Sequence, residues 1–248
     1  MFRPRVALAS LSGEADAQWA RAGAAHVGCA FLGGIALDES TRAAARAMTD
    51  RDRSEFLPSD PIAFVDAQFG ALADAPLRPA FNVRSATRAP VERAGAVCRD
   101  HDAVLELNAH CRQAEMCAAG AGEALLRDPD RLAEQVTAAT DTGATVSVKV
   151  RAEVDGVDLP DLAVRIESAG ADAVHVDAMD SESVVGAITD ATDLFVVANN
   201  GVRGPVTARE YFEHGADAVS VGRASDDPDV LRAVRTAADD RRAREATT

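Results

Sequence analysis

Lysine is almost absent from this sequence. Among its 248 residues 26 are Lys or Arg, and Lys149 is the only lysine. Lysine is normally one of the commonest residues, so the single position that keeps it stands out. It lies in the alternating run 146–151, which is typical of a buried strand. Because a buried ammonium is costly unless it meets an anion, Lys149 is the first candidate for a functional residue.

Other features that are missing exclude whole classes of protein. No run of about 18 apolar residues is present, so no membrane-spanning helix is expected. The first residues lack the pattern of a secretory signal, and we therefore expect a cytoplasmic protein. Its four cysteines, Cys29, Cys98, Cys111 and Cys117, are then expected to be reduced thiols. No low-complexity linker divides the chain, which favours a single domain.

The charge balance is strongly acidic. Asp and Glu number 40 against 26 Lys and Arg, and the net charge is −14. Acid excess with little lysine is typical of adaptation to high salt, although a GC-rich genome that favours Arg, Ala, Asp and Gly codons explains the same composition. Aromatic residues make up 4% of the chain and no basic stripe is visible. These features argue against a broad nucleic-acid surface.

Short apolar runs alternate with helical patterns along the chain. Eight strands are predicted, at 5–10, 26–31, 79–84, 103–109, 145–151, 173–178, 194–200 and 218–224. Helices are predicted at 39–49, 61–73, 90–100, 129–140, 159–169, 181–190, 206–214 and 228–238. This alternation predicts a single (β/α)8 barrel over residues 1–240, with a doubly wound open sheet as the main competitor. The stretch near 39–73 is then an extra helical segment, and the tail 241–248 is expected to fray.

In such barrels the active site lies at the carboxyl ends of the strands. The seventh predicted strand ends at Asn199-Asn200-Gly201 and the eighth at Gly222-Arg223. Loops after these two strands often bind phosphate through backbone N–H groups, and an arginine adds a bidentate contact. We therefore expect a phosphate site here; the alternative is that both glycines only allow tight turns.

Cysteine also follows a predicted strand, the fourth. Cys111 lies just past its end, where a thiol can serve as an acid or a nucleophile. His110, Cys111 and Cys117 are conceivable zinc ligands, but a fourth ligand is not evident and the spacing differs from the usual CxxC pairs. No metal site is therefore expected. Cys29 and Cys98 fall inside a strand and a helix, where inert core thiols are the default.

Four blocks of the sequence occur in a familiar order and spacing. They are Leu107-Asn108-x-x-Cys111 with the glycine-rich segment 120–126, the run 146–151, the loop Asn200-Gly201-Val202, and the segment 215–224. Together they resemble the signatures of tRNA-dihydrouridine synthases, from about residue 79 to 225, whereas the first 78 residues match loosely. The resemblance implies an FMN-binding barrel related to dihydroorotate dehydrogenases.

The resemblance also implies a reaction. Hydride passes between flavin N5 and one carbon of a C=C bond in a pyrimidine-like ring, and Cys111 supplies the proton to the other carbon. Lys149 is placed near the N1/O2 edge of the flavin, where a fixed positive charge stabilises the anionic reduced ring. NADPH or NADH is the implied electron donor. Because the sequence has no GxGxxG fingerprint, either would bind only transiently over the flavin.

The resemblance also implies, position by position, which residues contact the cofactor and the substrate. The implied cofactor-binding residues are Asn82 (in place of the family's glutamine), Asn108, Lys149, His175, Asn200, Gly201, Gly222 and Arg223. The implied substrate-facing residues are Asn108, Arg151 and Asp177.

Two motifs depart from the family. Its Gly-Cys-Pro is His110-Cys111-Arg112 here, and Asp177 occupies the place of the sixth strand's histidine. His175 lies two residues earlier on the same strand face, and either replaces that histidine or is a satisfied core residue. Because an aspartate repels phosphate, Asp177 is expected to face the substrate instead.

The sequence does not identify the substrate. The family carries a helical tRNA-binding domain after the barrel, and this sequence ends after the eighth helix, so flavin chemistry is better supported than tRNA as the partner. A small molecule or a nucleotide is the expected substrate. Two alternatives to a dihydrouridine synthase-like oxidoreductase remain. One is a dihydroorotate dehydrogenase-like enzyme acting on a small free substrate, and the other is a barrel that binds a phosphorylated ligand without redox chemistry.

Overall fold

The computed structural model describes residues 1–178 and 180–245. Its eight parallel strands pair in chain order, and β1 also pairs with β8, so the sheet closes into a barrel. The predicted (β/α)8 barrel is confirmed and the open sheet is excluded. The strands are β1 Val6–Leu8, β2 Cys29–Ala36, β3 Arg78–Arg84, β4 Val104–Asn108, β5 Thr145–Arg151, β6 Ala173–Asp177, β7 Phe195–Asn199 and β8 Ala218–Val221.

Helices connect the strands on the outside of the barrel. In the described ranges they are α1 Ala17–Gly23, α2 Glu39–Thr49, α3 Pro61–Gly70, α4 Arg88–Asp100, α5 Ala114–Ala118, α6 Pro129–Thr140, α7 Leu159–Ser168, α8 Ser183–Ala191, α9 Pro205–Glu213 and α10 Pro228–Glu245. Sequence signals explain several starts: Asp60 and Asp128 cap α3 and α6 with their side chains, and each precedes a proline at the first helical position. None of these helices is long and apolar enough to cross a membrane.

The second strand differs most from its prediction. It was expected at 26–31, but it continues through Gly33 and Gly34 to Ala36, with a shift in register against β3 between Gly33 and Ile35. Gly33 has a φ of 86°, a conformation that glycine adopts without a steric penalty. A bulge of this kind lets pairing continue past residues that normally end a strand.

The segment between β2 and β3 holds the two expected helices. The bounds of α2 agree with the prediction, and α3 ends at Gly70 rather than at residue 73. One face of α2 supplies Ala44 and Met48 to a small apolar cluster that also contains Cys111 and Met116. The extra segment therefore reaches the loop that follows β4. At the other end of the chain, the tail expected to fray is helical as far as residue 245, and residues 246–248 lie outside the described part.

The barrel interior has an apolar end and a polar end. Ala7, Cys29, Phe31, Ala80, Val104, Val197 and Ala218 form an apolar cluster toward the amino ends of the strands. Asn82, Glu106, Ser147, Lys149, His175 and Ser220 lie further along the same strands and are at most 2% exposed. Hydrogen bonds join Glu106 of β4 to His175 of β6, and His175 to Ser220 of β8. Since these strands are not neighbours, the bonds cross the inside of the barrel.

Candidate active site

Two adjoining cavities open at the carboxyl ends of the strands. The β7–β8 cavity, of about 210 Å³, is lined by residues that include Ser10, Lys149, Asn199, Gly201, Ser220 and Gly222. The β4–β6 cavity, of about 610 Å³, is lined by residues that include Arg84, Asn108, Cys111, Arg112, Arg151 and Asp177. Ser10, His110, Asn200, Arg203 and Arg223 line both. The two cavities thus form one continuous groove across the barrel mouth.

Glycine loops border the β7–β8 cavity. Asn200 and Gly201 follow β7 with φ values of 80° and 68°, so the chain turns in the left-handed region that favours glycine. A Cβ built on Gly201 or on Gly222 would meet no atom within 4 Å, which means that both glycines border open space. Arg223 is exposed beside Gly222. This cradle of backbone and guanidinium suits an anionic group such as a phosphate.

Lys149 lies in the wall of the same cavity. Its side chain is 2% exposed, and in residues 1–178 and 180–245 its ammonium has no hydrogen-bond or ion-pair partner. Burial lowers its pKa below the ordinary value, and the negative charges of Glu106 and Asp177 offset part of this effect. A buried cation at a cavity wall without a direct partner is the arrangement expected when a bound anion completes the site.

Asn108 shapes the loop that carries Cys111. Its side-chain oxygen accepts the N–H of Cys111 at 2.9 Å and that of His110 at 3.2 Å. The loop then passes so close to Gly122 that a Cβ there would lie 2.3 Å from the Cys111 carbonyl oxygen. Cys111 is 8% exposed and lines the β4–β6 cavity. The thiol thus has an apolar back against Met48 and Met116 and a side that faces the cavity.

Arg151 and Asp177 line the β4–β6 cavity as well, and both are held in place. Arg151 forms an ion pair of 3.1 Å with Glu123, and Oδ1 of Asp177 accepts a hydrogen bond of 2.8 Å from Asn200. The pKa of Glu123 lies below its ordinary value because hydrogen bonds to Arg127 and Arg151 outweigh its burial. The expected substrate-facing residues are therefore brought together with Cys111.

Asn82 and His175 lie one layer deeper and line neither cavity. The Asn82 amide donates to Glu106 Oε1 at 2.7 Å. The ring nitrogens of His175 lie 2.7 Å from Glu106 Oε2 and 2.7 Å from Ser220 Oγ. Burial lowers the pKa of His175, against the opposing influence of Glu106. Both side chains are satisfied within the barrel, and their contact with a cofactor stays a prediction.

Glu106 was not anticipated from the sequence. Burial acts to raise its pKa, but the neighbouring His175 and Lys149 together with hydrogen bonds outweigh it, and the pKa is lowered. The sequence did contain a signal for Glu106, because it places a carboxylate at an inward position of β4 between apolar neighbours. The fully buried ion pair between Arg84 and Glu55, at 2.5 Å, had no such signal, because Glu55 lies in an irregular segment far away in the sequence.

His110, Cys111 and Cys117 are the residues that were considered as zinc ligands. The Cys117 thiol donates to the Cys111 carbonyl oxygen at 3.4 Å. Over residues 1–178 and 180–245, no group of three or more His, Cys, Asp or Glu side chains is arranged to hold a metal ion.

A closed parallel barrel with a groove across its carboxyl end is typical of proteins that bind a ligand at the carboxyl ends of their strands. Residues 83–248 match the family model described as "Dihydrouridine synthase (Dus)", which covers more than half of the chain. The chain therefore belongs to the dihydrouridine synthase family, a family of flavin-dependent oxidoreductases.

Individual relatives agree with this assignment. The chain is 24% identical over 230 residues to "Uncharacterized protein MJ0144" of Methanocaldococcus jannaschii, with 88% of each chain covered. It is 28% identical over 184 residues to a probable tRNA-dihydrouridine synthase of Rhodobacter capsulatus, covering 68% of this chain and 56% of that one. It is 31% identical over 140 residues to tRNA-dihydrouridine synthase B of Xanthomonas axonopodis pv. citri, covering 51% of this chain and 42% of that one. The chain thus spans about half the length of these named synthases.

Solved structures support the fold alone. FabK from Thermotoga maritima superposes with a TM-score of 0.56 at 15% identity, covering 90% of this chain and 59% of that one. A mutant of the same protein gives a TM-score of 0.60 at 14% identity, with 90% and 63% covered.

Proposed function

We propose that this protein is an FMN-dependent oxidoreductase that transfers a hydride between flavin N5 and a C=C bond of a pyrimidine-like substrate. The observation that carries the proposal is the buried ammonium of Lys149, which lacks a direct partner in the described ranges and lies in a groove between glycine loops and Cys111. Membership of the dihydrouridine synthase family supports the same class of reaction.

The residues present fit FMN. Open space above Gly201 and Gly222, with Arg223 beside it, suits the phosphate group. Lys149 would face the N1/O2 edge of the ring system, where its charge favours the reduced anion. When bound, the cofactor supplies or accepts the hydride. Asn108 and Asn200, at the ends of β4 and β7, border the same groove and would contribute polar contacts.

Cys111 is the residue proposed to hold the proton for the substrate carbon, at its Sγ atom. Asn108 fixes the backbone of this residue, so the thiol is presented from a rigid position. Met48 and Met116 pack behind it and exclude water from that side. On the open side, Arg151 and Asp177 would orient the polar groups of a pyrimidine ring.

The pyrimidine ring of the substrate belongs either to a uridine within tRNA or to a small free molecule. Relatives named tRNA-dihydrouridine synthase favour a uridine within tRNA. The net charge of −14 favours a small free pyrimidine or nucleotide, because polyanionic RNA is repelled by an acidic surface. Nucleoside analysis of tRNA from a strain lacking the gene distinguishes the two: dihydrouridine is lost if tRNA is the substrate and is unchanged if it is not.

An absorbance spectrum tests the flavin assignment itself. The purified protein, alone or after incubation with FMN and removal of the excess, is expected to be yellow and to bleach on reduction with NADPH, NADH or dithionite. A colourless protein that takes up no FMN overturns the redox proposal and leaves a barrel that binds a phosphorylated ligand without redox chemistry.

Replacement of Cys111 tests the proton donor. Cys111→Ala is expected to bind FMN unchanged and to lower turnover by at least about 100-fold, since general acids contribute on that order. Cys117→Ala is the matched control, because this thiol lies six residues away and bonds to backbone groups, among them the Cys111 carbonyl oxygen. Equal turnover in the two variants would return Cys111 to a structural role.

A further inference from the structure

His110 occupies the boundary between the two cavities. It lines both of them, and its side chain is 29% exposed. The loop holds it firmly, since its N–H donates to the Asn108 side-chain oxygen. Any ligand that fills the groove from the glycine loops to Cys111 therefore passes this imidazole. Neither the sequence resemblance nor the proposed mechanism gives His110 a role.

A carboxylate stands beside the ring and is itself positioned. Nε2 of His110 lies 3.6 Å from Oδ2 of Asp177, while Oδ1 of Asp177 accepts a hydrogen bond from Asn200. Three residues that end or follow β4, β6 and β7 are thus arranged in series. A histidine next to an oriented carboxylate can carry a proton with its charge compensated.

Positive groups surround the imidazole in the free protein. The charged and titratable groups around His110 include Arg84 on β3, Lys149 and Arg151 on β5, His175 and Asp177 on β6, and Arg203 and Arg223, which line both cavities with it. Burial of the ring on its Nδ1 side, together with the positive members of this set, holds the pKa of His110 well below its ordinary value. The ring is therefore neutral when the groove holds no anion. An anion placed among the same cations offsets their charge, which favours the protonated ring.

We propose that His110, paired with Asp177, is a ligand-contacting residue that takes up one proton from solvent when an anionic ligand fills the groove. The imidazolium then faces the anion on one side and the Asp177 carboxylate on the other, while Asn200 positions the carboxylate. The inference rests on the proposed function insofar as FMN is the first anion to test. It adds that binding is linked to pH through one identified side chain.

Calorimetric titration with FMN in two buffers of different ionisation enthalpy, near neutral pH, measures the protons taken up on binding. The unaltered protein is expected to take up as much as one proton more than His110→Gln, with Asp177→Asn in between. His101→Gln is the matched control, because His101 also pairs with a carboxylate, Asp66 at 2.6 Å, but precedes β4 at the opposite end of the barrel. Changes in the ionisation of FMN itself are common to all variants and cancel.

NMR titration of the His110 ring in the unaltered protein is a second test of the proposal, and it requires no variant. A rise in its pKa on addition of FMN supports the proposal, and an unchanged pKa with FMN bound overturns it. If FMN does not bind at all, the proposed function fails, and inorganic phosphate takes its place as the probe. A phosphate-induced rise then still supports the role of His110, whereas no rise removes it. Equal proton uptake by the protein and by His110→Gln also overturns it.

Discussion

The two ends of the barrel interior are built from the same strands but from opposite chemistry. Toward the amino ends, Ala7, Val104 and Val197 pack with their neighbours into an apolar cluster. Toward the carboxyl ends, Glu106, Lys149 and His175 place charge and hydrogen bonds in a space that is equally closed to water. Barrel proteins in general keep stability at the first end and ligands at the second. Here the division occurs within β4, between Val104 and Glu106.

The polar end is not an efficient way to stabilise a fold. Burying hydrogen-bonded charged groups returns little net stability, because desolvation consumes most of the attraction, and only the loss of one partner is severe. The apolar end has no such cost. The presence of Glu106 and His175 in the interior is therefore best explained by what they support, the buried ammonium of Lys149, whose charge acts on both. Variants at the two ends should then separate stability from ligand binding.

Glu106→Leu should have the largest effect. It leaves the Asn82 amide and the His175 ring without their acceptor and takes away a negative charge that faces Lys149. We expect a loss of about 3–5 kcal/mol in the free energy of unfolding, the range for breaking a buried pair, together with weaker FMN binding. Urea denaturation and FMN titration measure the two. A loss below about 1 kcal/mol would mean that the interior network contributes nothing specific.

Lys149→Met should separate the stability of the fold from the binding of FMN. Methionine keeps the bulk of the side chain, so the free energy of unfolding should change little, whereas FMN binding should weaken by about 1.5–3 kcal/mol, the range for a hydrogen bond to a charged group. Lys149→Arg is the matched variant: it retains charge, but its wide planar guanidinium does not replace a compact ammonium. Unchanged FMN affinity in Lys149→Met would show that the ammonium does not face the cofactor.

Val104→Ala tests the apolar end on the same strand. It removes two methyl groups from a fully buried position, which should cost about 2 kcal/mol of unfolding free energy. Its FMN affinity and turnover should match those of the unaltered protein, because Val104 lies one inward position below Glu106 and touches neither cavity. Weakened FMN binding in this variant would contradict the division of the interior.

Periodicity made most of this architecture predictable from the sequence. The bounds of β5, α2 and α6 agree residue for residue with the alternating or helical runs, because inward and outward side chains differ clearly in polarity there. The β2 strand was cut short because Gly33-Gly34 has the composition of a turn. A bulge that is stabilised by pairing with β3 leaves no local signal, and only the closed sheet explains it.

The site was predictable where it depends on strand ends and not where it depends on contacts across the barrel. Cys111 and Gly222 come just after a strand and Lys149 lies near the end of β5, so order along the chain was sufficient to place them. The bond between Glu106 and His175 joins residues 69 positions apart on strands that are not neighbours. The approach of His110 to Asp177 depends in the same way on the curvature of the barrel, which no single strand encodes.

The smallest expected effect is a dependence of stability on pH to which the histidines of the polar end contribute. His110 and His175 have pKa values below the ordinary 6.5 in the folded protein, so between these values and about 6.5 the unfolded chain binds more protons. Stability is therefore complete above about pH 6.5 and is lost as the pH falls below it. Urea denaturation from about pH 7.5 to about pH 5 should show this decline, less steeply in His110→Gln than in the His101→Gln control. Equal slopes in the two variants would mean that the imidazole at the groove contributes nothing to this decline.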